Sequence, residues 1–288
     1  MEQLLLVHGG VGKSMRDTQL RAKALGEALE AGFVVLKEGG DAALAVVKAV
    51  MVMEDSSAFN AGTGSVANLA GEVEMDASVV DSKGKFGAVA IIKNVKNPIK
   101  VAYEVADKTE HLIIAGEGAT RFAINRGFKS YNPLTDEMKS LFEKNRNCSS
   151  EEVLELQRSY SSETVGAIAI DAFGDMAAAL STGGSILHIP GRVSDVPILG
   201  GAIYASEKGA VTITGRGEVI AREMIAKRVD DYLSEHSAEE AAKDIIQEYE
   251  TDFGMIVVDQ DSKVGIAYNT ECMSWGIKTQ DYKEVQPE

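Results

Sequence analysis

Apolar positions along the chain recur with two different periods. From residue 16 to 38 they fall at helical spacing, at Leu20, Ala24, Ala28, Ala31 and Val35, and the pattern closes on Gly39 and Gly40, which predicts an amphipathic helix. Asp41 is placed to cap a second helix, AALAVVKAVMVM, whose apolar residues run almost all round and so predict burial on most sides. Beyond Gly217 the run EVIAREMIAKRVDDYL is again helical, and Ser237 with Glu240 forms a capping box ahead of AEEAAKDIIQEY. Elsewhere the pattern is that of strands. ASVVDSKGKFGAVAII (77–92), GAIAIDAFGDMAAALST (166–182) and GMIVVDQDSKVGIAYNT (254–270) each run apolar residues into an Asp, a short polar turn and a second apolar strand. The last two align without a gap. Strands so rich in Ala, Val and Ile predict sheets covered on both faces. Hairpins bracketed by helices predict an α/β (α+β) fold, with two stacked sheets between helical layers.

Two stretches depart from these periods. Between about Lys129 and Glu163 the chain is polar, with one weakly helical section capped by Ser149 and Glu152. Two readings stay open there, a mobile connector and a surface excursion with two short helices. At the N-terminus a short strand, Leu4 to His8, runs into glycines in LLLVHGGVGKS, the way a phosphate-binding loop begins. The register fails: such a loop needs a glycine five residues before its Gly-Lys pair, and Gly12 and Lys13 put Val7 there. Asp171 and Asp259, the acids that could ligate magnesium, sit in hairpin turns. An ATPase stays as an alternative to a tight glycine turn that lets two backbones approach closely.

Composition narrows the partners. With 44 acidic and 29 basic residues the formal net charge is -15, which opposes sequence-independent binding to phosphate backbones and to anionic lipid, so neither nucleic acid nor membrane is expected. Cys148 and Cys272 lie far apart with no CxxC or Cys/His cluster, so neither a disulfide framework nor a zinc site is expected. The opening MEQLLLVHGG carries an acid where a signal peptide needs a basic region, and a cytoplasmic location is expected.

A set of motifs then appears in a fixed order: HGGVG (8–12), MEDSSAFNAGTGS (53–65), EMDASVVD (74–81), GAVAIIKNVKNPI (87–99), GEGATRFA (116–123), ETVGAIAID (163–171), STGG (181–184), GRVSDVP (191–197) and TGRGE (214–218). This series resembles the plant-type asparaginase and isoaspartyl peptidase family, within the N-terminal nucleophile (Ntn) hydrolases. The resemblance implies a four-layer αββα sandwich over a single domain, 1–288, and cleavage of the Glu163–Thr164 bond into an α chain (1–163) and a β chain (164–288). It also explains why the polar stretch gives way abruptly to an apolar strand at Thr164. A threonine hydroxyl is a weak nucleophile that needs a base within reach. None of the four histidines stands in a triad-like pattern, whereas an α-amino group titrates at about 7.7 to 8.0, so a freed Thr164 carries its own base.

Further roles follow from the same resemblance. Thr182 would hold Thr164 in position, and Thr214 with the Gly215 amide would form an oxyanion hole. Arg192 would grip a substrate α-carboxylate and Asp195 its α-ammonium, with Gly217 beside them. Asn60 would line the scission region, and Gly9 and Gly10 would pack against the site as backbone. No cofactor is expected for catalysis. A structural sodium is expected on the main-chain carbonyls of Met53, Glu54, Ser56, Phe59, Ala61 and Thr63. The substrate would be asparagine or a β-aspartyl peptide, and two cut chains would pair as an (αβ)₂ particle. Taken singly, each residue has a plainer reading: strand threonines, a surface ion pair, turn glycines and a turn asparagine. Three positions depart from the family pattern. Glu163 stands where Gly or Asp is usual, GRVSDVP replaces GRVGDSP through Ser194 and Val196, and GGAIYA (200–205) shifts the small residues. A catalytically silent, uncut relative is therefore the second alternative.

Overall fold

The computed structural model describes residues 2–12, 16–159 and 163–287. The chain opens with β1 (Leu4–Val11), α1 (Thr18–Lys37) and α2 (Ala42–Asp55). A hairpin of β2 (Met75–Asp81) and β3 (Phe86–Ile92) is followed by α3 (Pro98–Lys108), β4 (Ile113–Ala115) and α4 (Gly116–Asn125). Next come α5 (Asp136–Asn145) and α6 (Ser150–Ser159), then the hairpin of β5 (Val165–Ile170) and β6 (Met176–Thr182). β7 (Ile203–Ala205), β8 (Gly209–Gly215), α7 (Gly217–Glu223), α8 (Ile225–Tyr232) and α9 (Ala238–Gln247) lead to β9 (Phe253–Asp259), β10 (Val264–Tyr268), β11 (Met273–Lys278) and β12 (Lys283–Gln286).

Among the described residues the strands form two sheets, one ordered β12-β11-β1-β5-β6-β2-β3-β4 and one ordered β10-β9-β8-β7. Helices α1, α2 and α3 cover the outer face of the first, and α8 and α9 cover the second. The layers are therefore αββα, as the hairpins predict. Alternation along each strand explains the stacking. On β5 and β6, Ala167, Ala169, Ala177 and Ala179 face the helices, where small side chains let α2 lie close. Ile168, Ile170 and Leu180 point the other way and fill the space between the sheets.

The aspartates shared by the hairpins have a structural task. Asp171 accepts from the amides of Phe173 and Asp175 within its own turn and from Ala42 N at the start of α2 (3.3 Å). Asp259 repeats the arrangement, accepting from Asp261 N and Lys263 N and from Ala238 N at the start of α9 (2.9 Å). Each carboxylate thus closes a turn and caps a helix of the covering layer.

One stretch differs from the sequence reading, and another settles between two readings left open. The run from 218 to 233 is broken into α7 and α8 at Met224, which adopts a left-handed conformation (φ 51°, ψ 48°). The break has a cause: Ala226 N and Lys227 N donate to the carbonyls of Gly201 and Gly200, so the first amides of α8 are satisfied from outside the helix. The polar stretch carries two helices, and the expected Ser149–Glu152 capping box is present. Met138, Leu141, Phe142, Val153 and Leu156 from α5 and α6 pack on Val66, Ile186 and Leu187. Among the described residues no helix is long and apolar enough to cross a membrane.

Candidate active site

The β5–β6 hairpin brings the two threonines together. Val165 pairs with Ser181 and Gly166 with Leu180, which leaves Thr164 and Thr182 facing one another at the open end. Thr164 Oγ1 donates to Thr182 Oγ1 at 3.1 Å, and Thr182 Oγ1 also accepts from Gly184 N at 3.1 Å. Both side chains are buried. A second tie comes from Asn60: its Nδ2 donates to Gly184 O (2.7 Å), its Oδ1 accepts from Val66 N (2.9 Å), and its carbonyl accepts from Gly183 N (2.7 Å). The FNAG loop is thereby fastened to the STGG loop around the nucleophile candidate.

Behind Thr164 there is no spare room. A Cβ on Gly166 would stand 2.2 Å from His8 Nε2 and 2.7 Å from Leu180 Cδ2. His8, opposite Gly166 on β1, was not singled out by sequence reasoning because its position depends on a strand pairing between distant segments. Burial drives its imidazole down to about 3, against the opposing effect of the Thr164 backbone, so the ring stays neutral and is a poor base. On the same strand, a Cβ on Gly9 would meet the Phe59 ring at 2.3 Å, and Gly10 and Gly12 have positive φ. The glycine cluster is a bulged strand end beside the site. Helix α1 is capped by the Asp17 carboxylate, which accepts from Leu20 N at 2.8 Å and puts a negative charge where a phosphate would sit. Lys13 lies outside the described residues.

Arg192 and Asp195 line the same cavity as Thr164 and Thr182. Arg192 Nε and Nη2 donate to Glu218 Oε1 at 3.0 and 2.7 Å, and Glu218 is largely exposed. A Cβ on Gly217 would lie 2.5 Å from Asp195 Oδ1 and 3.3 Å from Arg192 Nη2, so a bare backbone is needed for the two to converge there. Burial pushes the Asp195 carboxyl up to about 7, while the Arg192 charge pulls it down. The loop carrying these residues hangs on a polar rail that sequence reasoning missed. Glu74 Oε2 accepts from Gly191 N (2.8 Å), Asp76 Oδ2 from Ser194 N (2.7 Å), and Ser78 Oγ donates to Val196 O (2.5 Å). Residues 74, 76 and 78 alternate along β2 and its approach; polar side chains at alternate positions of a buried strand were the available signal.

Thr164, Thr182, Asn60, Arg192, Asp195 and the backbone of Gly215 and Gly217 line one cavity of about 870 Å³. Gly215 ends β8 with φ 147°, and a Cβ there would stand 2.4 Å from Phe253 Cβ. Thr214 is fully buried one residue behind it, outside the lining. Leu154, Gln157, Arg158 and Ser159 from α6 also line the cavity.

Three of the six carbonyls expected to hold sodium already accept hydrogen bonds. Met53 O accepts from Ser56 N, Glu54 O accepts from Thr63 N at 2.7 Å, and Phe59 O accepts from Arg16 Nη1 at 2.5 Å. Arg16 also donates to Ser57 O and Gly64 O. A guanidinium already supplies positive charge to this loop and opposes a second cation on the same oxygen.

Glu54 is missed by sequence reasoning for its side chain. Wholly buried on α2, its Oε1 accepts from Ser181 Oγ (2.6 Å) and from Ile99 N (2.9 Å). Burial pushes the carboxyl from 4.5 up to about 8, against those hydrogen bonds. The folded chain keeps a proton that the unfolded chain releases across this window. The resulting stabilisation is complete below the unfolded value and is lost as the pH rises to about 8, by up to about 1.4 kcal/mol per unit. Glu54→Gln is expected to flatten this decline in thermal midpoints taken across the same range; an unaltered slope would place the proton elsewhere.

An αββα sandwich with a threonine at the head of a central strand is the arrangement of the Ntn hydrolases. The sequence profile of the family described as Asparaginase matches residues 1–286, and the chain belongs to that family. It is 40% identical over 291 residues to a plant-type L-asparaginase of Thermococcus kodakarensis, covering 94% of each chain. To a plant-type L-asparaginase of Pyrococcus furiosus it is 39% identical over 302 residues, covering 98% of each. An isoaspartyl peptidase/L-asparaginase of Danio rerio is 37% identical over 291 residues, with 97% of this chain and 93% of the relative covered.

Proposed function

We propose that the chain cuts itself between Glu163 and Thr164 and then hydrolyses L-asparagine and β-aspartyl peptides with Thr164 as nucleophile. The observation that carries this reading is that the hydrogen-bonded Thr164–Thr182 pair, Arg192 and Asp195 all line one cavity. Relatives named as L-asparaginases and isoaspartyl peptidases support the substrate class. In self-cleavage Thr164 Oγ attacks the Glu163 carbonyl carbon, the C–N bond breaks, and the hydroxyl proton passes to nitrogen. Water then hydrolyses the ester to a Glu163 carboxylate and a free Thr164 hydroxyl. Two products on a denaturing gel, the smaller beginning TVGAIAID, are the expected result; a chain that stays whole yet turns over substrate would overturn the mechanism.

In turnover the freed amine takes the hydroxyl proton as Oγ attacks the substrate β-carbonyl. The Gly215 amide stabilises the oxyanion, and Thr214 behind it supports that turn. Ammonia or an amine leaves with the proton, and water resolves the aspartyl ester. Arg192 holds the α-carboxylate by paired charge-assisted hydrogen bonds and Asp195 the α-ammonium. The resemblance also supports pairing of two cut chains as (αβ)₂.

This reading sets a pH dependence. Asp195, which ionises near 7, must be charged to accept from the ammonium, and the Thr164 amine must be neutral to act as base. Both requirements fail as the pH falls. The logarithm of kcat/KM is therefore expected to drop with a slope approaching two on the acidic side, and Asp195→Asn to reduce that slope to one while weakening binding. A slope of one in the unsubstituted enzyme would show that Asp195 ionises outside the range.

A further inference from the structure

The residue before the scissile bond departs from the family pattern, and the structure shows what holds it. Glu163 is buried, with Oε1 2.7 Å from Arg21 Nη2 and Oε2 2.8 Å from Arg16 Nε. Both guanidiniums are 3% exposed and the carboxylate 2%. Arg21 is the only charged side chain among the buried positions of α1, where apolar residues otherwise face the sheet. Burying a guanidinium in such a place is costly without a partner, and the partner is 142 residues away.

The surroundings tie this ion pair to the site. Arg21 lies over the Phe59 ring, 5.7 Å from its centroid. Arg16 also donates to the carbonyls of Ser57, Phe59 and Gly64, in the loop that carries Asn60, and to Met138 Sδ. The scissile bond is thus pinned on both sides, at Thr164 through Thr182 and at Glu163 through the two arginines. Rotation of residue 163 away from the hydroxyl would strand two buried positive charges. Attack within one dipeptide unit depends on how often carbonyl carbon and hydroxyl are held in approach geometry, and a fixed neighbour raises that fraction.

We propose that Arg16 and Arg21 form a carboxylate socket that seats Glu163 and positions the Glu163–Thr164 bond for self-cleavage, so that this chain requires a long acid at 163. The inference rests on the self-cleavage reading above. In these terms Arg16 and Arg21 are positioning residues; they touch neither the substrate nor the reacting atoms.

The test follows freshly synthesised full-length chain by intact mass as it converts to its two fragments. Glu163→Gln, which keeps shape but removes charge, and Arg21→Ala are each expected to slow conversion at least tenfold. Glu163→Asp, one methylene short of spanning both arginines, is expected to be slowed as well. Guanidinium ion at millimolar concentration is expected to restore conversion in Arg21→Ala, and KM for asparagine on the cut fraction of that variant to stay within twofold. Stability is compared in a Thr164→Ala background, where no chain can cut; should Glu163→Gln prove unfolded there, Arg21→Lys, which keeps the charge and loses the fork, decides by the same conversion rate. Conversion of these variants at the unsubstituted rate sinks the socket and leaves self-cleavage standing. An unsubstituted chain that never converts overturns both.

Discussion

Thr164→Ala is expected to run as a single band at the 30.7 kDa of the whole chain and to lose hydrolysis by a factor on the order of 10⁶. In the proposed mechanism one residue serves two reactions. Its hydroxyl would attack the preceding carbonyl to open the chain, and the amine released by that event would then activate the same hydroxyl toward substrate. Removing it eliminates the first step and, with it, the base for the second. The fold has little reason to fail, because the substitution deletes one hydrogen bond to Thr182, worth about 1 kcal/mol, from a site already framed by Asn60 and Gly184. Thr164→Ser, which restores the hydroxyl, is expected to cut and to turn over. Mass spectrometry of both variants with an ammonia-release assay checks the pair, and measurable turnover by intact Thr164→Ala would remove Thr164 from the mechanism.

Arg192→Ala is expected to raise KM for asparagine by roughly 30-fold to several thousand-fold, the equivalent of about 2–5 kcal/mol for truncating one partner of a desolvated charge pair. In the structure the guanidinium already grips a carboxylate through two nitrogens, that of Glu218. Glu218 is 71% exposed and Arg192 18%, so the acid can swing to solvent while the arginine stays at the cavity wall. A substrate α-carboxylate would take the same fork, with Asp195 beside it for the ammonium. Arg192→Lys is expected to recover only part of the loss, since an ammonium offers a point charge and no planar pair of donors. Steady-state kinetics separates the effects, and a KM unchanged in the alanine variant would move carboxylate recognition to another residue.

Much of the fold was legible locally. The helix caps at Asp41, Ser149 and Ser237 and the three hairpins all follow from contacts within a few positions along the chain. The hairpin itself sets Thr164 opposite Thr182, because a turn of given length leaves one register in which both strand faces stay apolar. The helix break at Met224 was not legible, since it is made by carbonyls of Gly200 and Gly201 from another segment. Nor was the rail of Glu74, Asp76 and Ser78: their spacing was visible, but the loop they hold is more than a hundred positions downstream.

By itself the sequence determined the first two helices, the capped helix after Ser237, the three hairpins, and where a threonine heads a buried strand. Those outcomes depend on side-chain period, caps and turns, which act over a handful of residues. Tertiary structure alone decided that Arg16 and Arg21 meet Glu163, that Arg16 donates to the carbonyls of the loop expected to hold sodium, and that His8 lies neutral behind Thr164. A charge or a polar ring tolerates burial only where a partner or a low-dielectric wall determines its state, and for these residues the partners come from strands and loops that only folding brings together.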